Sequence, residues 1–327
     1  MKPFSYVRAT SQNTAIQGVA DRQSAKFIAG GTNLIDLMKV EVAQPDRLVD
    51  ITQLPLSEIE INSDGLRIGA LVRNSDLAYH PEVRSHYPLL SQAILAGASP
   101  QLRNMATVGG NLMQRTRCYY FMDIAAPCNK RDPDSGCAAI DGYNRIHAIF
   151  GASDKCIATH PSDMCVGLAA LDARVRVSSS NGDRIIPIAD FHRLPGDIPE
   201  RDTVLEQDEL IIAVDLPNSP FAKNYHYLKV RDRASYAFAL VSVAAALDIQ
   251  NGTIKAARIA LGGVAHKPWR AFVAEDILVG AKPTEETFTA AATATVSDAK
   301  PYRHNQFKVE MAKRAIVRAL MNATEQS

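Results

Sequence analysis

No run of apolar residues in this 327-residue sequence approaches the ~18 that a membrane-spanning helix needs, so no span is expected. The opening residues, MKPFSYVRATSQNTAIQGVA, lack the apolar stretch of about 7–15 residues typical of an export signal. The expectation is that this chain carries no export address of its own, which leaves open export as a passenger on a partner. An excess of positive charge is missing too: 36 Lys and Arg stand against 35 Asp and Glu, for a net charge of +1. Partners rich in phosphate call for a more basic balance, so nucleic-acid binding is not expected. The G-x-G-x-x-G and Walker patterns are absent, as are HExxH and the G-x-S-x-G nucleophile elbow. No paired-carboxylate motif occurs, and the eight histidines show no metal-ligand spacing. Side-chain catalysis in this chain is therefore not expected. There is no CxxC, which argues against a zinc ribbon.

What is present describes a folded globular protein, with 46 % hydrophobic and 22 % charged residues and a length suited to about two domains. KFIAGG (26–31) reads as a strand closing in a tight turn, and TNLIDLMKVEV (32–42) as a helix with Leu34, Leu37 and Met38 on one face. LRIGAL (66–71) reads as a strand, SDLAYHPEV (75–83) as a short helix capped by Ser75, and LLSQAILAGAS (89–99) as a buried helix. From Arg115 to His160 no period is sustained, and a loop of that length implies a function or an internal staple. MCVGLAALDARVRV (164–177) is a helix running into a strand, followed by a hairpin with RIIPI and a strand ELIIAVDLP stopped by Pro217. Beyond a composition break near residue 218, three strands (near NYHYLKV, SVAAALDIQ and TIKAARIALGGV) precede two helices at about 284–299 and 307–322. Asn251–Gly252 marks the turn between the last two strands.

Two glycine-rich segments recur with similar chemistry. Gly30 and Gly31 sit between a strand and a helix start, with Thr32 and Asn33 adding a hydroxyl and an amide. Glycine lets the backbone approach a ligand closely, and a helix start presents free N–H groups to phosphate. ATVGGNLMQ (106–114) repeats the pattern about 80 residues later. Each is either a simple turn or half of a dinucleotide cradle. All five cysteines fall between Cys118 and Cys165, spaced C-x9-C-x8-C-x18-C-x8-C. A disulfide set would leave one odd, and four thiolates can hold a [4Fe–4S] cluster. Cys165, inside the apolar helix, reads as a packed core thiol. His147 and His160 read as loop polar surface with some capacity to ligate, and Arg231–Asp232–Arg233 as a solvated charge cluster.

AGGTNL, TVGGNL, SDMCVGLAALDA, ELIIAVDLP, YLKVRDRASYAFALVSVAAAL and GGVAHKPWRA together resemble, in order and approximate spacing over almost the whole chain, the flavin subunits of the xanthine dehydrogenase family. Those of periplasmic aldehyde oxidoreductases are the nearest in kind. The resemblance implies an α+β chain with a two-lobed FAD-binding fold of the vanillyl-alcohol-oxidase/molybdenum-flavoprotein type. It would span residues 1–217 (lobes at about 1–55 and 56–217, with a cysteine-rich insertion at about 115–160), followed by a C-terminal α+β domain at 218–327 with an antiparallel sheet and helices. It implies that Ile28, Ala29, Gly30, Gly31, Thr32, Asn33 and Leu34 wrap the FAD pyrophosphate, with Lys26 also in contact and Thr107, Gly109, Gly110 and Asn111 against it from the second loop. Asp163 would meet the flavin moiety, Ile211 would supply an apolar contact and Lys229 would reach the cofactor; without the resemblance, Asp163 reads as a helix N-cap and Lys229 as a solvated strand residue. The family often has an aromatic residue near the second loop, where this chain reads AGASPQLRN. Benzoyl-CoA-type reductases of the same family carry a four-cysteine insertion at this point, which implies the ligands Cys118, Cys128, Cys137 and Cys156. The implied partners are a small subunit with two [2Fe–2S] clusters and a large molybdenum–pterin subunit that oxidises an aldehyde, with FAD passing electrons to an external acceptor. The implied location is the periplasm, reached on a partner's twin-arginine signal, and otherwise the cytoplasm. Readings of another class are a stand-alone flavin oxidoreductase and a zinc-stapled binding scaffold.

Overall fold

The computed structural model describes residues 1–325, in which three sheets are each backed by helices. The N-terminal sheet is parallel, in the order Ser5–Arg8, Arg47–Asp50, Lys26–Ile28. Parallel neighbours need crossovers. One of them contains the helix Gln12–Ala20, started by a reciprocal Ser11–Thr14 capping box. The other contains the helix Leu34–Lys39. The latter is shorter than the 32–42 expected, because the backbone turns left-handed at Glu41 (φ 62°). Ala15, Ile16 and Val19 pack on Val49 to close this layer.

The second sheet has five antiparallel strands in the order Ile59–Asn62, Gly65–Gly69, Leu210–Pro217, Arg174–Ser179, Gly182–Pro187. Its core is shared with the helices Asn74–Tyr79, Pro88–Ala96 and Asp163–Ala170. Ser75 is not the N-cap of the first of these. Arg73 occupies that place, since a bridge to Thr107 and the Asn74 N–H···O=C Ala106 bond (2.9 Å) fix where the chain turns helical. The helices Pro88–Ala96 and Asp163–Ala170 touch at Gly167, where a Cβ would stand 3.1 Å from that of Ala93.

The C-terminal sheet is antiparallel, in the order Trp269–Arg270, Thr253–Gly262, Val241–Gln250, Asn224–Val230. Asn251 and Gly252 both have positive φ (52° and 71°), as a two-residue hairpin turn matched to strand twist requires. Helices Phe272–Leu278, Glu285–Val296 and Phe307–Glu325 bury Leu278, Phe288, Ile316 and Leu320 against this sheet. The mixed architecture with an antiparallel C-terminal sheet and helices agrees with the fold class expected. The segment 115–160 holds two one-turn helices, Tyr119–Met122 and Ala138–Asp141, and otherwise irregular chain.

Candidate functional site

The two glycine loops meet. A Cβ on Gly30 would fall 1.9 Å from the carbonyl oxygen of Met105, just ahead of the second loop. Glycine is therefore obligatory there because two backbones cross. Gly31 follows at φ 71°. In the second loop Thr107 caps the short helix Val108–Leu112, its Oγ1 accepting from Gly110 N at 3.2 Å, and Gly109 N–H donates to Ala70 O at 2.8 Å. Beside this crossing opens a cleft of about 700 Å³, within the ~300–1,000 Å³ usual for small-molecule sites.

Of the residues singled out, Thr32, Asn33, Gly110, Asn111, Asp163 and Lys229 line the cleft. Gly30, Gly31, Thr107 and Gly109 shape its wall from behind. Ile28, Ala29 and Leu34 are half-buried neighbours in the first loop, and Lys26 is exposed at the start of its strand. Ile211 packs in the hydrophobic core under the second sheet rather than in the cleft lining. Asn33 Oδ1 accepts from Arg115 N at 3.1 Å, while its Nδ2 is buried without a partner. A buried amide donor left open costs about 1–3 kcal/mol, so Asn33 offers a donor for an acceptor atom in the cleft it lines. A Cβ on Gly110 would crowd Thr107 Oγ1 at 3.0 Å, and Gly110 itself is exposed in the cleft lining.

The opposite wall is held by a buried ion pair. Lys229 Nζ lies 2.8 Å from Asp163 Oδ2, and the two side chains are 4 % and 8 % exposed. Tyr227 OH donates to Asp163 Oδ1 (2.8 Å), and Lys229 also donates to Ala96 O (3.1 Å). Burial and the Asp163 charge push the Tyr227 phenol well above its ordinary pKa. Two plain readings from sequence are corrected here. The helix cap is Ser162, whose Oγ accepts from Cys165 N, with Asp163 the first helical residue. Lys229 is not solvated, because its strand leans on the helix Pro88–Ala96. Tyr227 was missed by sequence, although it lies two residues before Lys229 on the same strand face. The segment from Tyr236 to Leu240 also lines the cleft, with Tyr236 exposed at φ 50°, as does Arg117, whose guanidinium lies over the Phe238 ring.

Behind one wall of the cleft lies a second, much smaller cavity, lined by Cys118, Cys128, Cys137 and Cys156 together. All five cysteines are free. A backbone bond from Asn129 N to Gly136 O (2.7 Å) and side-chain bonds from Arg131 Nη1 to the carbonyls of Tyr120, Phe121 and Asp123 (2.9–3.0 Å) hold the loop around the thiols. Burial pushes the thiol of Cys118 up to about 12 and that of Cys156 to about 11, so a cationic centre is needed to keep them as thiolates. Among the described residues, three ligand atoms lie within 4.8 Å of one another at His160, Cys165 and His192.

Cys165 is fully buried in the core of its helix, as expected. His147 and His160 are buried, not polar surface. His147 Nε2 lies 3.1 Å from Cys118 Sγ, and His160 Nε2 lies 3.1 Å from His192 Nε2. Two segments serve both cavities. Tyr119, Thr159 and His160 line the cleft, while Cys118, Tyr120, Cys156 and Ala158 line the thiol cavity.

Comparison with known proteins identifies the family to which this fold belongs. Residues 2–219 match the family described as the FAD binding domain in molybdopterin dehydrogenase, and residues 225–323 match the CO dehydrogenase flavoprotein C-terminal domain. The aldehyde oxidoreductase FAD-binding subunit PaoB of Escherichia coli K12 is 50 % identical over 330 aligned positions, covering 100 % of both chains. The glyceraldehyde dehydrogenase medium chain of Sulfolobus acidocaldarius is 29 % identical, over 91 % of this chain and 89 % of that one. Among solved structures, carbon monoxide dehydrogenase from Hydrogenophaga pseudoflava superposes with a TM-score of 0.78 at 27 % identity, over 99 % of this chain and 98 % of that one. With two glycine loops crossing beside a cleft and family matches from residue 2 to residue 323, this chain belongs to the FAD-binding medium subunits of the molybdenum hydroxylase family.

Proposed function

We propose that this chain is the electron-transfer subunit of a molybdenum-dependent aldehyde oxidoreductase, carrying FAD and one [4Fe–4S] cluster. The observation that carries the FAD site is the unpartnered Asn33 amide beside the exposed Cα of Gly110, where the two loops cross. In this reading Thr32, Asn33, Gly110 and Asn111 receive the pyrophosphate oxygens, and the Asp163–Lys229 pair orders the wall toward the flavin. FAD, when bound, supplies exchange of one or two electrons, and the protein's part is to place it and set its potential. The near relation to an aldehyde oxidoreductase subunit supports aldehyde as the substrate class, with the chemistry on a large molybdenum–pterin partner. Electrons would arrive through a small partner with two [2Fe–2S] clusters and leave to an external acceptor.

Cys118, Cys128, Cys137 and Cys156 would hold the cluster, since all four line one cavity. Shared walls between that cavity and the cleft support a place for the cluster beside the electron route. Export on a partner's twin-arginine signal would bring the complex to the periplasm.

The test is a visible spectrum of the anaerobically purified complex with counts of flavin, iron and acid-labile sulphide. Flavin with iron in excess of the partners' clusters by about four per chain supports both sites. Flavin without that iron removes the cluster, and absence of flavin removes the function. Cell fractionation with and without the partner's signal tests the location.

A further inference from the structure

Lys308 is buried with 0 % exposure, and no carboxylate pairs with it among the described residues. Its ammonium donates to two backbone carbonyls, those of His147 (2.8 Å) and Gly263. Burial pushes the Lys308 ammonium down to about 7, so a negative centre nearby would favour its charged form. The residue whose carbonyl it holds is His147, whose ring nitrogen Nε2 stands 3.1 Å from Cys118 Sγ. Asn305 Nδ2 reinforces the clamp with bonds to the carbonyls of His147 (3.2 Å) and Ala148 (3.1 Å). The start of the C-terminal helix Phe307–Glu325 thus fixes the backbone of a residue that touches a cluster thiol.

The direction of the His147–Cys118 bond follows from the chemistry. A sulfur bound to iron has no proton to give, so Nε2–H must donate to it. Nδ1 is buried and makes no other bond, so no competing partner draws the proton to that nitrogen. An N–H donor to a ligand sulfur and a nearby positive charge both stabilise the more negative, reduced state, and both raise its potential.

Resting on the cluster reading above, we propose that His147 and Lys308 are a potential-setting pair. His147 donates a hydrogen bond to Cys118 Sγ, and the Lys308 ammonium stands behind the His147 backbone. Both raise the reduction potential of the [4Fe–4S] cluster. They are positioning residues that act on the cluster without ligating it. The pair also explains why the cysteine insertion is anchored to the C-terminal helix rather than left as a free loop.

The experiment is an EPR-monitored redox titration of the intact complex, with iron and sulphide counts, for wild type and for His147→Leu, His147→Gln and Lys308→Met. His147→Leu and Lys308→Met should keep four irons and shift the cluster to lower potential. His147→Gln, which keeps an amide donor at about the Nε2 position, should stay near wild type. Unchanged potentials in both His147→Leu and Lys308→Met, with the cluster retained, overturn the proposal. A three-iron EPR signal in His147→Leu also overturns it, by making His147 a ligand. If His147→Leu loses the whole cluster, the comparison of His147→Gln with Lys308→Met decides: a lowered potential in Lys308→Met alone supports the pair, and equal potentials overturn it. Absence of a cluster in wild type refutes the earlier reading instead, so the two failures are distinguishable.

Discussion

Removing one partner of the Asp163–Lys229 pair should cost more than removing both. The two side chains are almost fully excluded from water and stand 2.8 Å apart. Lys229→Met keeps the stem but leaves the Asp163 carboxylate with only Tyr227 as donor. Asp163→Leu leaves an ammonium facing only the Ala96 carbonyl. Stranding one buried charge costs about 3–5 kcal/mol, which in a chain of this size lowers the thermal midpoint by roughly 4–7 °C. In the double variant neither charge remains, and Tyr227 OH still has Ser242 Oγ at 3.0 Å. Its stability should return to within about 1–2 kcal/mol of wild type. The assay is the thermal midpoint of the complex at saturating FAD, because bound ligand adds to apparent stability. A double variant that falls by the sum of the two singles would refute the reasoning and show that the side chains act independently.

Gly110→Val should lose most bound flavin at a modest cost in stability, because its side chain enters the cleft and crowds the Thr107 hydroxyl that caps the loop helix. Gly30→Val should lower the yield of folded chain as well, since it meets the Met105 carbonyl; flavin content and soluble yield separate the two cases. Asp202→Asn should flatten the acid limb of stability. Although burial pushes the Asp202 carboxyl up, Lys130 and Arg115 override it and hold its pKa below the ordinary value. Its contribution is therefore full above the unfolded value of about 3.9 and is lost as pH falls below it; thermal midpoints between pH 5 and pH 3 should drop more in wild type than in the variant. Cys165→Ser should keep the iron count, whereas Cys128→Ser should lose the cluster, because only Cys128 of the two lines the thiol cavity.

The features legible in sequence are those carried by near neighbours. The positive φ values at Gly31 and Asn251–Gly252 follow from residue type. The strands after residue 218 show in their apolar runs, and the crowding of cysteines between 118 and 165 announces a stapled loop. The family resemblance added Asp163 and Lys229, whose local context reads as a cap and a solvated residue. Other features exist only once distant segments pack. Gly30 is obligatory because of Met105, 75 positions away, and no local propensity encodes a backbone crossing. The Asp163 carboxylate is tied to Lys229 and Tyr227 only because the helix Asp163–Ala170 packs on the C-terminal sheet. Four thiols of an irregular loop share one cavity through backbone bonds without any period. Lys308 looks like one more charged residue on an amphipathic helix, and burial against His147 leaves its nitrogen with carbonyl partners only. Sequence determined which residue types were at hand and which backbone shapes they allow. Tertiary packing decided which of them lost water and met each other, and the electrostatics of both sites follows from that desolvation.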